Sequence, residues 1–113
     1  MAAERSRAPG RASADLDTAV EVLRLLADRT RLAILAALRD TELSVGAIAE
    51  ALGRPVPAVS QHLARLRAGQ LVLTRRDGVT VYYRLANEHV DALVRNVLQQ
   101  AEHLTYDRPP HHG

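Results

Sequence analysis

One hundred and thirteen residues allow a single domain, and the chain contains no cysteine, phenylalanine or tryptophan. Without thiols it can form no disulfide, no zinc–thiolate centre and no thiol redox switch. No apolar run approaches the roughly 20 residues needed to cross a bilayer, so a cytoplasmic protein with no membrane association is expected. All fifteen basic residues are arginine, unevenly spread: residues 54–84 hold six of them against one acid, Asp77, while the rest of the chain holds nine against twelve acids. A cationic segment on an acidic body is the footprint of a nucleic-acid surface.

Residues 1–13, rich in Ala, Gly, Pro, Ser and Arg, read as a disordered arm, residues 14–105 as the folded unit and residues 106–113 as a histidine-containing tail. From Leu16 the spacing predicts a first helix, with Ala19, Val20, Leu23, Leu26 and Ala27 completing its apolar set. Asp28 is a suitable N-cap for a second helix built on Leu32, Ile34, Leu35 and Leu38. Ser44 can cap a third, which Gly53 stops. Pro55 and Pro57 are tolerated in a first turn, so a fourth helix is predicted from there to Gly69.

Two β-rich runs, LVLTRR and VTVYYRL, then flank Asp77 and Gly78. An Asp-Gly pair between such runs predicts a hairpin with a type I′ turn. The last helix is predicted from about Asn87, with the stripe Val90, Leu93, Val94, Val97, Leu98, Ala101 and Leu104, ending before Pro109 and Pro110.

Two short helices joined by a glycine-containing turn and followed by a hairpin make a mainly α fold with a β-hairpin wing, a winged helix-turn-helix. The second helix of the pair would enter the major groove, with Ser60, Gln61 and His62 at its exposed front and Leu63 and Leu66 in the core. Arg65, Arg67, Arg75 and Arg76 would contact phosphates, the last two from the wing. Arg84 is open to either a phosphate or an ion-pair role. The chain has no nucleophile–base pair, glycine-rich phosphate loop or HExxH sequence, so an enzyme is not expected.

The segments LADRTRLAILAAL, ELSVGAIAEALG, VSQHLARLRAGQLV and RRDGVTVYYRL resemble the ArsR/SmtB family of bacterial metal-sensing repressors, over about residues 16 to 104. The resemblance implies a homodimer joined through the first and last helices. Its two recognition helices would address an inverted-repeat operator whose half-sites lie about 34 Å apart. Where many members carry a cysteine motif for soft metals, this chain has Glu42, Leu43, Ser44, Val45 and Gly46.

The family's other common site maps to Asn87, His89, Gln100 and His103, where only the histidines are good ligands and the four-coordinate zinc pattern is broken. On one helix His89 and His103 stand about 40° apart in angle and about 21 Å apart along the axis. They cannot share an ion within one chain, but antiparallel pairing would set His89 of one protomer beside His103 of its partner. Glu102, His111 and His112 are further donors, and NEHV, AEH and the terminal histidine pair resemble the nickel- and cobalt-sensing branch. Nitrogen and oxygen donors without sulfur suit Ni(II) or Co(II), with Zn(II) also possible. The expectation is a metal-responsive transcriptional repressor. Its alternatives are a winged-helix regulator that senses zinc, or one that senses no metal and answers to a protein partner.

Overall fold

The structure, a computed structural model, describes residues 2–106, with side chains from residue 12 onward. Its elements run α1 (Ala2–Leu26), α2 (Arg29–Ala37), β1 (Leu43–Ser44), α3 (Val45–Leu52), α4 (Val56–Ala68), β2 (Val72–Asp77), β3 (Thr80–Leu85) and α5 (Glu88–Tyr106). His111 and His112, in the expected tail, lie outside the described residues.

Local chemistry sets the helix boundaries. Asp28 holds extended backbone (φ −150°, ψ 128°), and its carboxylate accepts the Arg31 backbone N–H at 2.9 Å, the N-cap arrangement. Ser44 does the same for α3, accepting the Ala47 N–H at 3.2 Å. Gly53 closes α3 at φ 65°, in the left-handed region that a side chain would make costly. Pro55 precedes α4 and Pro57 falls in its first turn, where a missing N–H leaves no helical bond unmade. At α5 the cap is Asn87, whose Oδ1 accepts the Val90 N–H at 3.0 Å.

α1 departs from expectation, because the stretch predicted to be a disordered arm is helical backbone from Ala2. Alanine and arginine are strong helix formers, and here they outweigh the break suggested by Pro9 and Gly10. Among the α1 residues whose side chains are described, those of the C-terminal turns pack on the domain: Leu26 is buried and Val22 and Leu25 are half-buried. Leu16, Val20 and Leu23 stay 66%, 44% and 55% exposed.

β2 and β3 pair antiparallel from Val72↔Leu85 to Asp77↔Thr80, so the two-residue loop is Gly78–Val79. Of these only Gly78 has positive φ (64°), the pattern of a type II′ turn and not the expected type I′. The aspartate is used as a strand residue, which moves the corner one position along. β1 joins the other edge of β3 through Leu43↔Tyr83 and Ser44↔Tyr82, giving the order β1-β3-β2. A two-residue strand carries no readable alternation, and it was not expected.

The core is aliphatic throughout. Ile34 and Leu35 of α2, Ile48 of α3, Leu63 and Leu66 of α4, Val72 of β2 and Val94 of α5 are all fully buried. It forms one cluster, into which α4 is pressed from the side opposite its polar face.

Candidate nucleic-acid interface

The two faces of α4 follow from residue spacing. Val59, Leu63 and Leu66 recur at helical intervals and are fully buried. That leaves Ser60, Gln61, Arg65 and Arg67 exposed on the outer side. The helix contains no acid, so nothing on it repels a polyanion.

His62, expected beside Ser60 and Gln61, is half-buried. Its Nδ1 lies 3.4 Å from Nη1 of Arg31, on α2. Arg31 is itself only 7% exposed. Its Nε donates to the Leu25 carbonyl at 2.8 Å and its Nη2 to the Arg24 carbonyl at 3.2 Å, both at the end of α1. The Asp28 carboxylate, 3.9 Å from Nη1, balances the charge. The Asp28 carboxyl is held below its ordinary range, chiefly by the Arg31 backbone N–H it caps; burial opposes this, and the Arg31 charge assists. Sequence reasoning missed Arg31, because an arginine on a helix face reads as solvated until α1 and α4 are folded against it.

Carboxylate pairing sorts the arginines into two groups. Arg24, Arg39 and Arg95 pair with Glu21 at 2.7 Å, Asp91 at 3.2 Å and Asp91 at 3.2 Å. The Arg39 and Arg95 pairs converge on Asp91 of α5, and Arg39, two residues past α2, ties that end of the chain to α5.

Arg75, expected to contact phosphate, is held most closely. Its Nε donates to Glu42 at 3.0 and 3.2 Å and its Nη2 at 2.8 Å, while the guanidinium lies 4.8 Å from the centre of the Tyr82 ring. Glu42 is kept below the usual carboxylate range, first by these hydrogen bonds and then by the Arg75 and Arg84 charges, with burial opposing. Arg84 thus adds to the field at Glu42, and Arg75 braces the sheet.

Arg29, Arg54, Arg65, Arg67 and Arg76 have no carboxylate partner among the described residues, and all five are exposed. Arg76 follows Arg75 on β2, so the strand's pleat sends the two side chains to opposite faces. Arg29 and Arg54 line one cleft of about 360 Å³ with Thr30, Ala33, Ala37, Ala51 and Leu52, and no acid is present there. Arg54 stands just ahead of α4; neither it nor Arg29 was expected at the interface.

On α5 the candidate metal ligands His89, Glu102 and His103 are exposed. The separation of about 21 Å between the two histidines holds, since both lie in one continuous helix. Among the described residues no three His, Asp or Glu side chains gather closely enough to hold an ion. Asn87, at the remaining family position near the helix start, uses its side-chain oxygen as the α5 cap.

A groove-sized helix with a polar, acid-free outer face, backed by a core and flanked by an antiparallel wing, defines a winged helix-turn-helix DNA-binding protein. Residues 26–75 match the helix-turn-helix domain family. The chain is 55% identical over 93 residues to the HTH-type transcriptional regulator KmtR of Mycobacterium tuberculosis, across 82% of this chain and 72% of that protein. It is 42% identical over 86 residues to the HTH-type transcriptional repressor SmtB of the same species, across 76% and 64%. Among solved structures it matches the homodimeric winged helix-turn-helix DNA-binding domain Mb0332 of Mycobacterium bovis, described as a possible ArsR-family regulator. That match has a TM-score of 0.80 at 38% identity and covers 87% of this chain and 91% of that one. The chain belongs to the ArsR/SmtB family of winged helix-turn-helix transcriptional regulators, which are DNA-binding proteins and not enzymes.

Proposed function

We propose that this regulator is a homodimeric repressor that reads an inverted-repeat operator with a pair of α4 helices. A divalent ion, Ni(II) or Co(II), bound at α5 would weaken its hold on DNA. The observation that carries this reading is the apolar surface α1 and α5 leave open. Leu16 and Leu23 of α1 are 66% and 55% exposed, and Leu104 of α5 is 53% exposed. Apolar side chains continuing a helix's buried stripe into solvent mark an association surface, and both terminal helices do so in this chain. The homodimeric Mycobacterium bovis domain supports the same assembly.

In such a dimer Ser60 and Gln61 address base edges, and Arg65, Arg67 and Arg76 address phosphates, joined by Arg29 and Arg54 from their acid-free cleft. His89, Glu102 and His103, with His111 and His112 of the tail, would hold the ion, which supplies a crosslink between protomers. The donors are nitrogen and oxygen, and no three of the described ones meet in one chain; antiparallel pairing of two α5 helices would bring His89 of one protomer to His103 of its partner. Coupling between the two sites is reciprocal: whatever factor the ion takes from DNA affinity, DNA takes from ion affinity.

Gel shifts test the reading, using a duplex selected from random-sequence DNA by the wild-type protein. Ni(II) should weaken binding by the wild type and leave His103→Ala unaffected. DNA affinity that no divalent ion changes would remove the sensor and leave the repressor. Failure of the wild type to select any duplex would remove both.

A further inference from the structure

We propose that Arg31 is a positioning residue for DNA recognition: it fixes the tautomer and orientation of His62, so that the ring offers its Nε2–H, and only a donor, to the groove. The inference rests on the DNA-reading role of α4 and adds what one residue of that helix can recognise.

Arg31 carries donors only and stays protonated, so the group it faces must accept. That group is Nδ1 of His62, 3.4 Å from Nη1. A neutral imidazole with an unprotonated Nδ1 carries its proton on Nε2. The guanidinium cannot swing away to relax this demand. It is 7% exposed, and Nε and Nη2 are committed to the Leu25 and Arg24 carbonyls at 2.8 and 3.2 Å. Those carbonyls belong to the last turn of α1, so the ring on α4 is referenced through one side chain to the helix that leads out of the domain.

The charged groups acting on His62 are Arg31 and, more distantly, the Asp28 carboxylate that caps α2. An Nε2–H donor suits guanine O6 or N7, thymine O4 or a phosphate oxygen, and it rejects the amino group of cytosine.

Two measurements test the proposal. Long-range ¹H–¹⁵N spectra of the imidazoles in the DNA-free protein at neutral pH report the tautomer directly, with the His62 signals assigned by their absence from His62→Gln. The expected pattern is unprotonated Nδ1 and protonated Nε2 in the wild type, shifting toward a tautomer mixture in Arg31→Gln. An Nδ1–H tautomer in the wild type overturns the proposal, and this arm needs neither DNA nor a folded Arg31 variant.

The second measurement compares two amide replacements on the duplex selected by the wild type. His62→Asn places its amide where Nδ1 stands and keeps a group facing Arg31, but loses the outward donor. His62→Gln reaches the Nε2 position and loses the inner contact. The expected result is about a tenfold loss of DNA affinity for Asn with an unchanged melting temperature, and a lowered melting temperature with smaller affinity loss for Gln. Wild-type affinity in His62→Asn overturns the proposal. A wild type that selects no duplex would instead sink the DNA-reading role, and the tautomer spectra would still decide the Arg31–His62 relation.

Discussion

Arg75 reaches across the sheet to Glu42: from β2 it passes over the Tyr82 ring of β3, at 4.8 Å, and closes on a carboxylate one residue ahead of β1. One side chain therefore touches all three strands' territory. Arg76, its neighbour in sequence, has no carboxylate partner among the described residues.

The two arginines should separate in a salt titration. Removing one phosphate-binding cation lowers the slope of log affinity against log salt by about one. Arg76→Ala should show that reduction with an unchanged melting temperature. Arg75→Ala should lower the melting temperature and leave the slope alone. A reduced slope in Arg75→Ala would return that residue to the phosphate set.

Gly69 is a glycine for reasons of space. Its φ of −83° suits any residue, yet an added Cβ would collide with Leu25 Cδ1 of α1. Gly69→Ala should destabilise by at most about 1 kcal/mol in urea denaturation, because the obstructing atom is the end of a half-buried leucine side chain beside an open cleft and can turn aside. Leu25→Ala in the same chain should recover part of that loss, because the two changes compete for one volume. Additive effects would refute the contact.

Asp28 should make the fold acid-sensitive. Its folded-state carboxyl is depressed below 3.8, first by the Arg31 backbone hydrogen bond. A depressed carboxyl contributes stability that is fully present above its unfolded value and is lost as pH falls through the lower, folded one. Thermal melts of the wild type should decline below about pH 4, more steeply than those of Asp28→Asn. At neutral pH, Asp28→Ala should cost about 1 kcal/mol for the missing cap.

The open apolar stripe gives a test of assembly. Leu104 is 53% exposed and Leu23 is 55% exposed, so neither is needed by the single chain's own core. Leu23→Glu with Leu104→Glu should leave helix content intact and shift sedimentation equilibrium from dimer to monomer. A wild type that sediments as a monomer at micromolar concentration would dispose of the dimer.

Most of this fold could be read from short-range pattern. Asp28, Ser44 and Gly53 announce helix ends because a cap is satisfied within three or four residues, and Val59, Leu63 and Leu66 announce a buried face because a helix brings them together. Failures came where the partner is remote or the signal too brief. Leu43 and Ser44 become a strand only because β3 offers an edge. The turn slipped from Asp77–Gly78 to Gly78–Val79 because pairing with Thr80 competes with the dipeptide's own preference. At the interface, exposure of Ser60, Gln61, Arg65, Arg67 and Arg76 was legible from helix and strand period. The engagement of Arg75 with Glu42 and of His62 with Arg31 was not, since each joins positions that only the finished fold makes neighbours.

The register of the wing has an evolutionary corollary. Because successive strand residues alternate sides, adding a single amino acid to β2 ahead of Arg75 would trade the assignments of Arg75 and Arg76, turning the brace outward and the free cation inward. The total charge of the hairpin would not change at all. Lineages of such regulators can therefore alter which of the two cations is left without a carboxylate partner by insertion or deletion alone, with no arginine gained or removed.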